Sequence, residues 1–91
     1  MIEQGKVYAE CGGYSMTYYT FWKCVRVTEK SAWLIELGKR WASHDGYGQS
    51  GMTVCTMEPK HDNPKEKMVR RTAYIGSEYH EGEQLYENYM D

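Results

Sequence analysis

Residues 18–27 form the most strongly patterned stretch of the chain. The run alternates with period two, and its apolar positions are Phe21, Val25 and Val27 in one set and Tyr18, Trp22 and Cys24 in the other. Aromatic and β-branched residues favour a pleated strand, and alternation of this kind is typical of one. Because both sets are apolar, the pattern predicts a central strand that is covered on both faces.

Further segments between turn signals also predict strands. They are residues 6–10, 32–37, 52–57 and 67–75, followed by residues 78–89, interpreted as a terminal hairpin that turns at Glu81-Gly82. Gly38 is expected to end the strand that pairs with residues 18–27, and the polar, glycine-rich residues 39–51 predict a long connection. Residues 1–91 are therefore predicted to form one all-β domain: a small, strongly bent antiparallel sheet or SH3-like barrel of five to six strands.

One charged residue does not fit this alternation. In residues 67–75, Val69, Ala73 and Ile75 form the inward set, and Arg71 has the same parity. The strand is expected either to bulge near Arg71 or to let the guanidinium reach the rim and pair with an acid.

The aromatic residues are mostly amphipathic, with nine Tyr and three Trp against a single Phe. Such side chains combine apolar area with a polar tip, so they suit either the edges of a small core or a recognition surface. Trp41 is interpreted either as a staple between the long connection and the barrel or as an exposed anchor for a partner. The candidate partner-binding residues are Tyr14, Tyr18, Trp22, Trp41, Tyr79, Glu81 and Glu83.

The formal net charge of −2 argues against a strongly basic nucleic-acid-binding protein, because phosphate binding depends on clustered Lys and Arg. Bases nevertheless cluster between residues 60 and 71, whereas acids dominate the end of the chain. The alternative of a nucleic-acid-binding face therefore stays open, with tyrosines stacking on bases. Its candidate residues are Lys23, Arg26, Lys67, Arg70 and Arg71.

The three cysteines, Cys11, Cys24 and Cys55, lie far apart and lack the spacing of a disulfide framework or a zinc site. We therefore expect free thiols in a reducing compartment, with no metal and no cofactor. The longest apolar run, residues 32–35, is too short to span a bilayer, and no signal-peptide core is present at the N-terminus. The expected location is the cytoplasm, with no membrane partner.

Single-residue matches spread over residues 5–89 resemble a family of small uncharacterised proteins carried by bacteriophages and mobile elements. The matching residues are Gly5-Lys6-Val7-Tyr8, Gly13-Tyr14 with Thr17, Phe21-Trp22 with Cys24-Val25, Val27-Thr28 with Lys30, Arg70-Arg71, and Glu81-Gly82 with Tyr86 and Tyr89. The chain departs from the family pattern at Lys6, where an acid is usual, at Glu81, where Asp is usual, and in residues 38–51. The resemblance implies a genomic setting and a host-cell cytoplasm, but no chemistry.

Catalysis is not expected, because no nucleophile with a base, carboxylate pair or metal triad has a local signature. The preferred hypothesis is a non-enzymatic phage or mobile-element accessory protein that binds and modulates a host or defence protein, as an anti-CRISPR-like inhibitor does. That partner could be part of a nucleoprotein complex. The alternatives are a small nucleic-acid-binding β-barrel module and a homodimer joined through open sheet edges.

Overall fold

The computed structural model describes residues 1–13, 17–44 and 50–88. The described residues form seven strands and no helix. The strands are β1 (Val7–Gly12), β2 (Tyr18–Val27), β3 (Ser31–His44), β4 (Ser50–Pro59), β5 (Lys67–Arg70), β6 (Ser77–Tyr79) and β7 (Leu85–Asn88).

All strand pairs are antiparallel, and six strands follow one another in the order β6-β1-β2-β3-β4-β7. This sheet curls strongly into a half-barrel, which confirms the predicted all-β class and the strong bend. The seventh strand, β5, pairs with the first residues of β3, on the side of β3 that β4 occupies further along. The sheet therefore extends past the half-barrel at the β5 end.

The sheet buries apolar side chains on both faces, as the two apolar sets of β2 predicted. The inner core centres on Phe21, which is fully buried and meets the Tyr79 ring edge-on at 4.7 Å between centroids. The outer core, on the opposite face, contains Cys24 and Leu34 and is covered by Ile2 and Ile75. Burial on both faces of β2 lets a short chain remove much apolar surface from water.

A β-bulge in β2 changes the predicted faces of that strand. The register with β3 shifts between Cys24 and Arg26, so Val25 is an extra residue on β2. Val25 packs against the inner core, but Val27 packs against the outer core, which is a correction to the prediction that the two share a face. A bulge adds one residue to a strand and so reverses the side-chain parity that follows it.

The prediction that Gly38 ends a strand is wrong: β3 continues through Gly38 to His44. The register between β3 and β4 shifts around Gly38, from Leu37 opposite Pro59 to Lys39 opposite Cys55. A side chain at position 38 would place its Cβ only 3.0 Å from Thr56 Oγ1. Gly38 therefore permits a close approach within a bent strand. Trp41, predicted in a loop, accordingly lies in β3.

The predicted strand 67–75 is also shorter than expected, because β5 ends at Arg70 and the chain turns. Arg71 stabilises that turn: its backbone N–H donates to the Lys30 carbonyl, its Nε to the Ile2 carbonyl at 3.1 Å, and its Nη1 to the Thr28 carbonyl at 3.3 Å. The Arg71 guanidinium therefore binds backbone carbonyl groups in place of the expected acid, and it joins the N-terminal segment and the β2–β3 turn to the end of β5.

The predicted turn at Glu81-Gly82 is present, with Gly82 at a φ of 91°. Its two flanking strands do not form the predicted hairpin, because β6 pairs with β1 and β7 pairs with β4. The turn instead connects the two ends of the curled sheet. The Tyr79 hydroxyl reinforces it by donating to the Glu83 carbonyl at 2.6 Å and accepting from the Cys55 N–H at 3.0 Å.

An ion pair between the partly exposed Lys39 and the buried Glu87 closes the sheet where β3 leaves β2. The Tyr19 N–H donates to Glu87 Oε2 at 2.7 Å, and Lys39 Nζ donates both to that oxygen at 2.7 Å and to the Tyr19 carbonyl at 2.8 Å. Next to it, Thr17 and Asn88 exchange two backbone hydrogen bonds. The β7 strand therefore reaches β2, and β2, β3, β4 and β7 form a closed circuit.

Replacement of Glu87 by Ala should lower the free energy of unfolding by about 2–3 kcal/mol, measured by urea denaturation. The change removes a carboxylate that is 1% exposed and leaves the Tyr19 N–H and the Lys39 ammonium without this acceptor. Glu36→Ala is the matched control, because its ion pair with Lys60 is far more exposed and should be worth about 1 kcal/mol or less. Equal losses for the two variants would contradict a closing role for Glu87.

Candidate functional site

Where the sheet extends past the half-barrel, five side chains share one face. The register places Arg26 opposite Trp33 and Trp33 opposite Met68, while Lys23 lies opposite Ile35 of the inner core. Side chains two residues apart on one strand share a face, so Arg70 joins Met68. We call this surface the basic–aromatic face; it consists of Lys23, Arg26, Trp33, Met68 and Arg70.

The centre of this face is a stacked pair. The Arg26 guanidinium carbon lies 3.9 Å from the centroid of the Trp33 ring, within the range of a cation–π interaction. The same guanidinium also forms an ion pair, with Arg26 Nη2 3.3 Å from Glu66 Oε1. The bulge at Val25 is what places Arg26 on this face, because it reverses the parity of β2 just before Arg26.

The surroundings of the stacked pair are accessible. Met68 is 63% exposed, and Arg26 and Arg70 are exposed, while Lys23 and Trp33 are half-buried. Trp, Met and Arg are enriched in protein–protein interfaces, where they supply contact area and charge-assisted hydrogen bonds. The face therefore combines a pre-ordered aromatic centre, an exposed flexible apolar side chain and a basic rim.

Three of the five predicted nucleic-acid-binding residues thus converge, and two do not. Lys67 lies opposite Leu34 of the outer core, on the other side of the sheet, with its Nζ 5.1 Å from the centroid of the Trp22 ring. Arg71 is occupied in the turn after β5. The phosphate-binding surface proposed from sequence is accordingly limited to Lys23, Arg26 and Arg70.

The predicted partner-binding aromatic residues do not form one surface. Tyr79 is 4% exposed and belongs to the inner core, which corrects its assignment as an anchor. Trp22 is half-buried on the outer face, where its indole N–H donates to Glu10 at 3.0 Å. Tyr18 is half-buried, with Lys39 Nζ 5.7 Å from its ring centroid, and Trp41 is 36% exposed in the second half of β3. Tyr14 lies outside the described residues.

The two predicted acidic residues lie together at the turn between β6 and β7. Glu81 is exposed in the turn itself. The Glu83 carboxylate accepts a short hydrogen bond from the His80 N–H and so stabilises the turn. The candidate residues selected for their aromatic or acidic character are therefore distributed over several parts of the molecule.

Sequence reasoning missed Trp33 and Met68 as surface residues. The sequence does contain a signal for Trp33: the polar residues 29–31 separate the two predicted strands, and a hairpin closed there pairs Val27 with Ala32 and Arg26 with Trp33. Met68 could not be assigned in the same way, since its position depends on β5 pairing with β3 across a separation of about 35 residues.

Among the described residues, no group of three or more His, Cys, Asp or Glu could hold a metal ion. His61 and His80 are exposed, and Nε2 of the His80 imidazole lies 3.8 Å from Glu78 Oε2. In the described ranges, no helix is long and apolar enough to cross a membrane.

Comparison with known proteins gives no family assignment: no protein-family model, no curated protein and no solved structure matches the chain.

The three thiols are free and differ in access. Cys11 is exposed, whereas Cys24 is fully buried and its Sγ donates to the Arg26 carbonyl at 3.4 Å. Burial raises the pKa of the Cys55 thiol, which keeps it protonated and unreactive near neutral pH.

Brief treatment of the folded protein with iodoacetamide should therefore add one carbamidomethyl group, at Cys11. The same treatment in guanidinium chloride should add three, because unfolding exposes Cys24 and Cys55. Mass spectrometry of the intact protein distinguishes the two results. Two or three rapid adducts under native conditions would show that the inner or outer core is accessible and would contradict this packing.

Proposed function

We propose that the chain is a non-enzymatic protein-binding module that contacts its partner through the basic–aromatic face. The observation that supports this most directly is the stacking of Arg26 on Trp33 at 3.9 Å beside the exposed Met68. Residues that dominate binding energy are often Trp and Arg held in place before binding, because less conformational entropy is then lost. The complementary partner surface has an apolar centre with acidic residues around it.

The same stack favours a protein over single-stranded nucleic acid. Base stacking requires an accessible aromatic plane, but Arg26 covers Trp33 and Lys67 lies over Trp22. The overall charge of −2 would also repel a polyanion beyond the reach of the local basic rim. A carboxylate of a protein partner needs only a local contact, which Arg70, Lys23 or the outer edge of Arg26 can provide.

The biological setting belongs to the same proposal. The resemblance to small proteins of bacteriophages and mobile elements supports a partner among host or defence proteins and a site of action in the host cytoplasm. In this role the module would act as an anti-CRISPR-like inhibitor, by covering an acidic surface of that partner. Nucleic-acid binding is the second candidate, and its support is the convergence of Lys23, Arg26 and Arg70 on one face.

Capture experiments with charge-reversed variants test the proposal. Immobilised wild-type protein is compared with the double variant Arg26→Glu, Arg70→Glu in bacterial cytosol, with and without nuclease. The control, Arg40→Glu, Lys60→Glu, makes the same change of charge at exposed positions outside the basic–aromatic face. The double reversal should reduce capture of a specific protein at least about tenfold, because losing contacts worth 1.4 kcal/mol or more has that effect.

Capture should survive nuclease treatment and the control reversal. Loss of the partner on nuclease treatment, together with salt-dependent binding of purified DNA or RNA by the wild type, would instead establish the nucleic-acid alternative. Equal loss of capture in both double variants would show that net charge is responsible, which contradicts a role for this particular face.

A further inference from the structure

The outer edge of β5 is unpaired within the described part of the chain, since β5 pairs there with β3 alone. The hydrogen bond from the Arg71 N–H to the Lys30 carbonyl shows which residues of β5 direct their backbone groups towards β3. In an antiparallel pair the bonded residues then recur at every second position, so Lys67 and Val69 bond towards β3. The N–H and C=O groups of Met68 and the N–H of Arg70 therefore point away from the sheet.

This edge continues the basic–aromatic face directly, because the side chains of Met68 and Arg70 belong to that face. A strand added beside β5 would place alternate side chains next to Met68 and Arg70, on the same face as the Arg26–Trp33 stack. The remaining side chains would lie on the opposite face, beside Lys67 and Val69. Backbone hydrogen bonds would supply affinity, and the alternating side chains would supply specificity, as in other cases of strand addition.

The sequence of β5 defines which strand fits. Lys67, Met68, Val69 and Arg70 read basic, apolar, apolar, basic. The complementary pattern is acidic, apolar, apolar, acidic, and because it is symmetric it matches in a parallel or an antiparallel orientation. Opposite charges directly across a strand pair stabilise it, whereas like charges destabilise it.

We propose that the β5 edge binds an extended segment of the partner protein with the pattern acidic–apolar–apolar–acidic, which adds to the sheet as a further strand. The inference rests on the proposed function and specifies the chemistry of the partner segment.

The test uses an acetylated and amidated peptide, Gly-Glu-Val-Ile-Glu-Gly, titrated into ¹⁵N-labelled protein and followed by NMR. The amide signals of Met68 and Arg70 report the edge, and the Trp33 indole N–H reports the neighbouring face. We expect saturable shifts at both, with the edge amides moving downfield as they form hydrogen bonds. The isomer Gly-Val-Glu-Glu-Ile-Gly, and the peptide with Lys in place of Glu, should bind at least tenfold more weakly.

Two variants separate backbone pairing from side-chain contact. Met68→Pro removes the outward N–H while leaving the bonds of Val69 to β3 available, and proline is tolerated at sheet edges. It should weaken peptide binding at least tenfold, with Arg70 then reporting the titration. Met68→Ala, which keeps the N–H, should retain saturable edge shifts. Unchanged dispersion of the amide spectrum verifies that both variants fold.

Peptide binding to Met68→Pro with wild-type affinity would overturn the strand addition. If the Trp33 indole still shifted in that variant, binding at the face and the proposed function would stand without the edge. Absence of shifts at Met68, Arg70 and Trp33 in the wild type would overturn the inference, while the capture experiment would still decide the proposed function independently. Equal binding of the isomeric peptide would overturn the proposed pattern.

Discussion

The fold depends on how the chain satisfies the backbone of Tyr19 after β3 turns away from β2. One side-chain ion pair does so: Glu87 accepts from the Tyr19 N–H, and Lys39 donates to the Tyr19 carbonyl. These contacts replace the two backbone hydrogen bonds that β3 would make to Tyr19 if it continued beside β2. A buried carboxylate is costly unless paired and hydrogen-bonded, and here it has both kinds of partner. The same residue carries β7 onto β2 and closes that end of the sheet.

Closure at one end leaves the other end open. The β7 strand pairs with β4 only over Ser50–Thr53, while β5 extends the opposite end of β3 with an outer edge that no other strand of the described residues pairs with. At the β5 end of the sheet the inner core stops, and the stacked Arg26 and Trp33 lie at the surface. The bulge at Val25 is essential, since without it Arg26 would lie on the outer face. Local irregularities, more than the regular ladder, thus determine where a binding surface can form.

The sequence was most informative where a local pattern was sufficient. The bounds of β2 and the turn into β3 follow from alternation and turn residues alone. Gly38 was misinterpreted as a strand end, because its close approach to Thr56 arises only after β4 has paired with β3. Tyr79 was assigned to the surface for a related reason: its hydroxyl finds the Cys55 N–H only in the curled sheet. The basic residues of the face could be selected from the sequence. That Lys67 and Arg71 lie elsewhere could be seen only once the pairing of β5 with β3 was known.

Amide hydrogen exchange of the free protein tests whether β7 closes one end of the sheet while the outer edge of β5, unpaired within the described residues, stays open at the other. We expect strong protection of Tyr19, Asn88 and Val69, whose N–H groups are hydrogen-bonded, and fast exchange of Met68 and Arg70. Protection would therefore alternate along β5. Uniform protection of residues 67–70, or fast exchange at Tyr19 and Asn88, would contradict this arrangement of one closed end and one open edge.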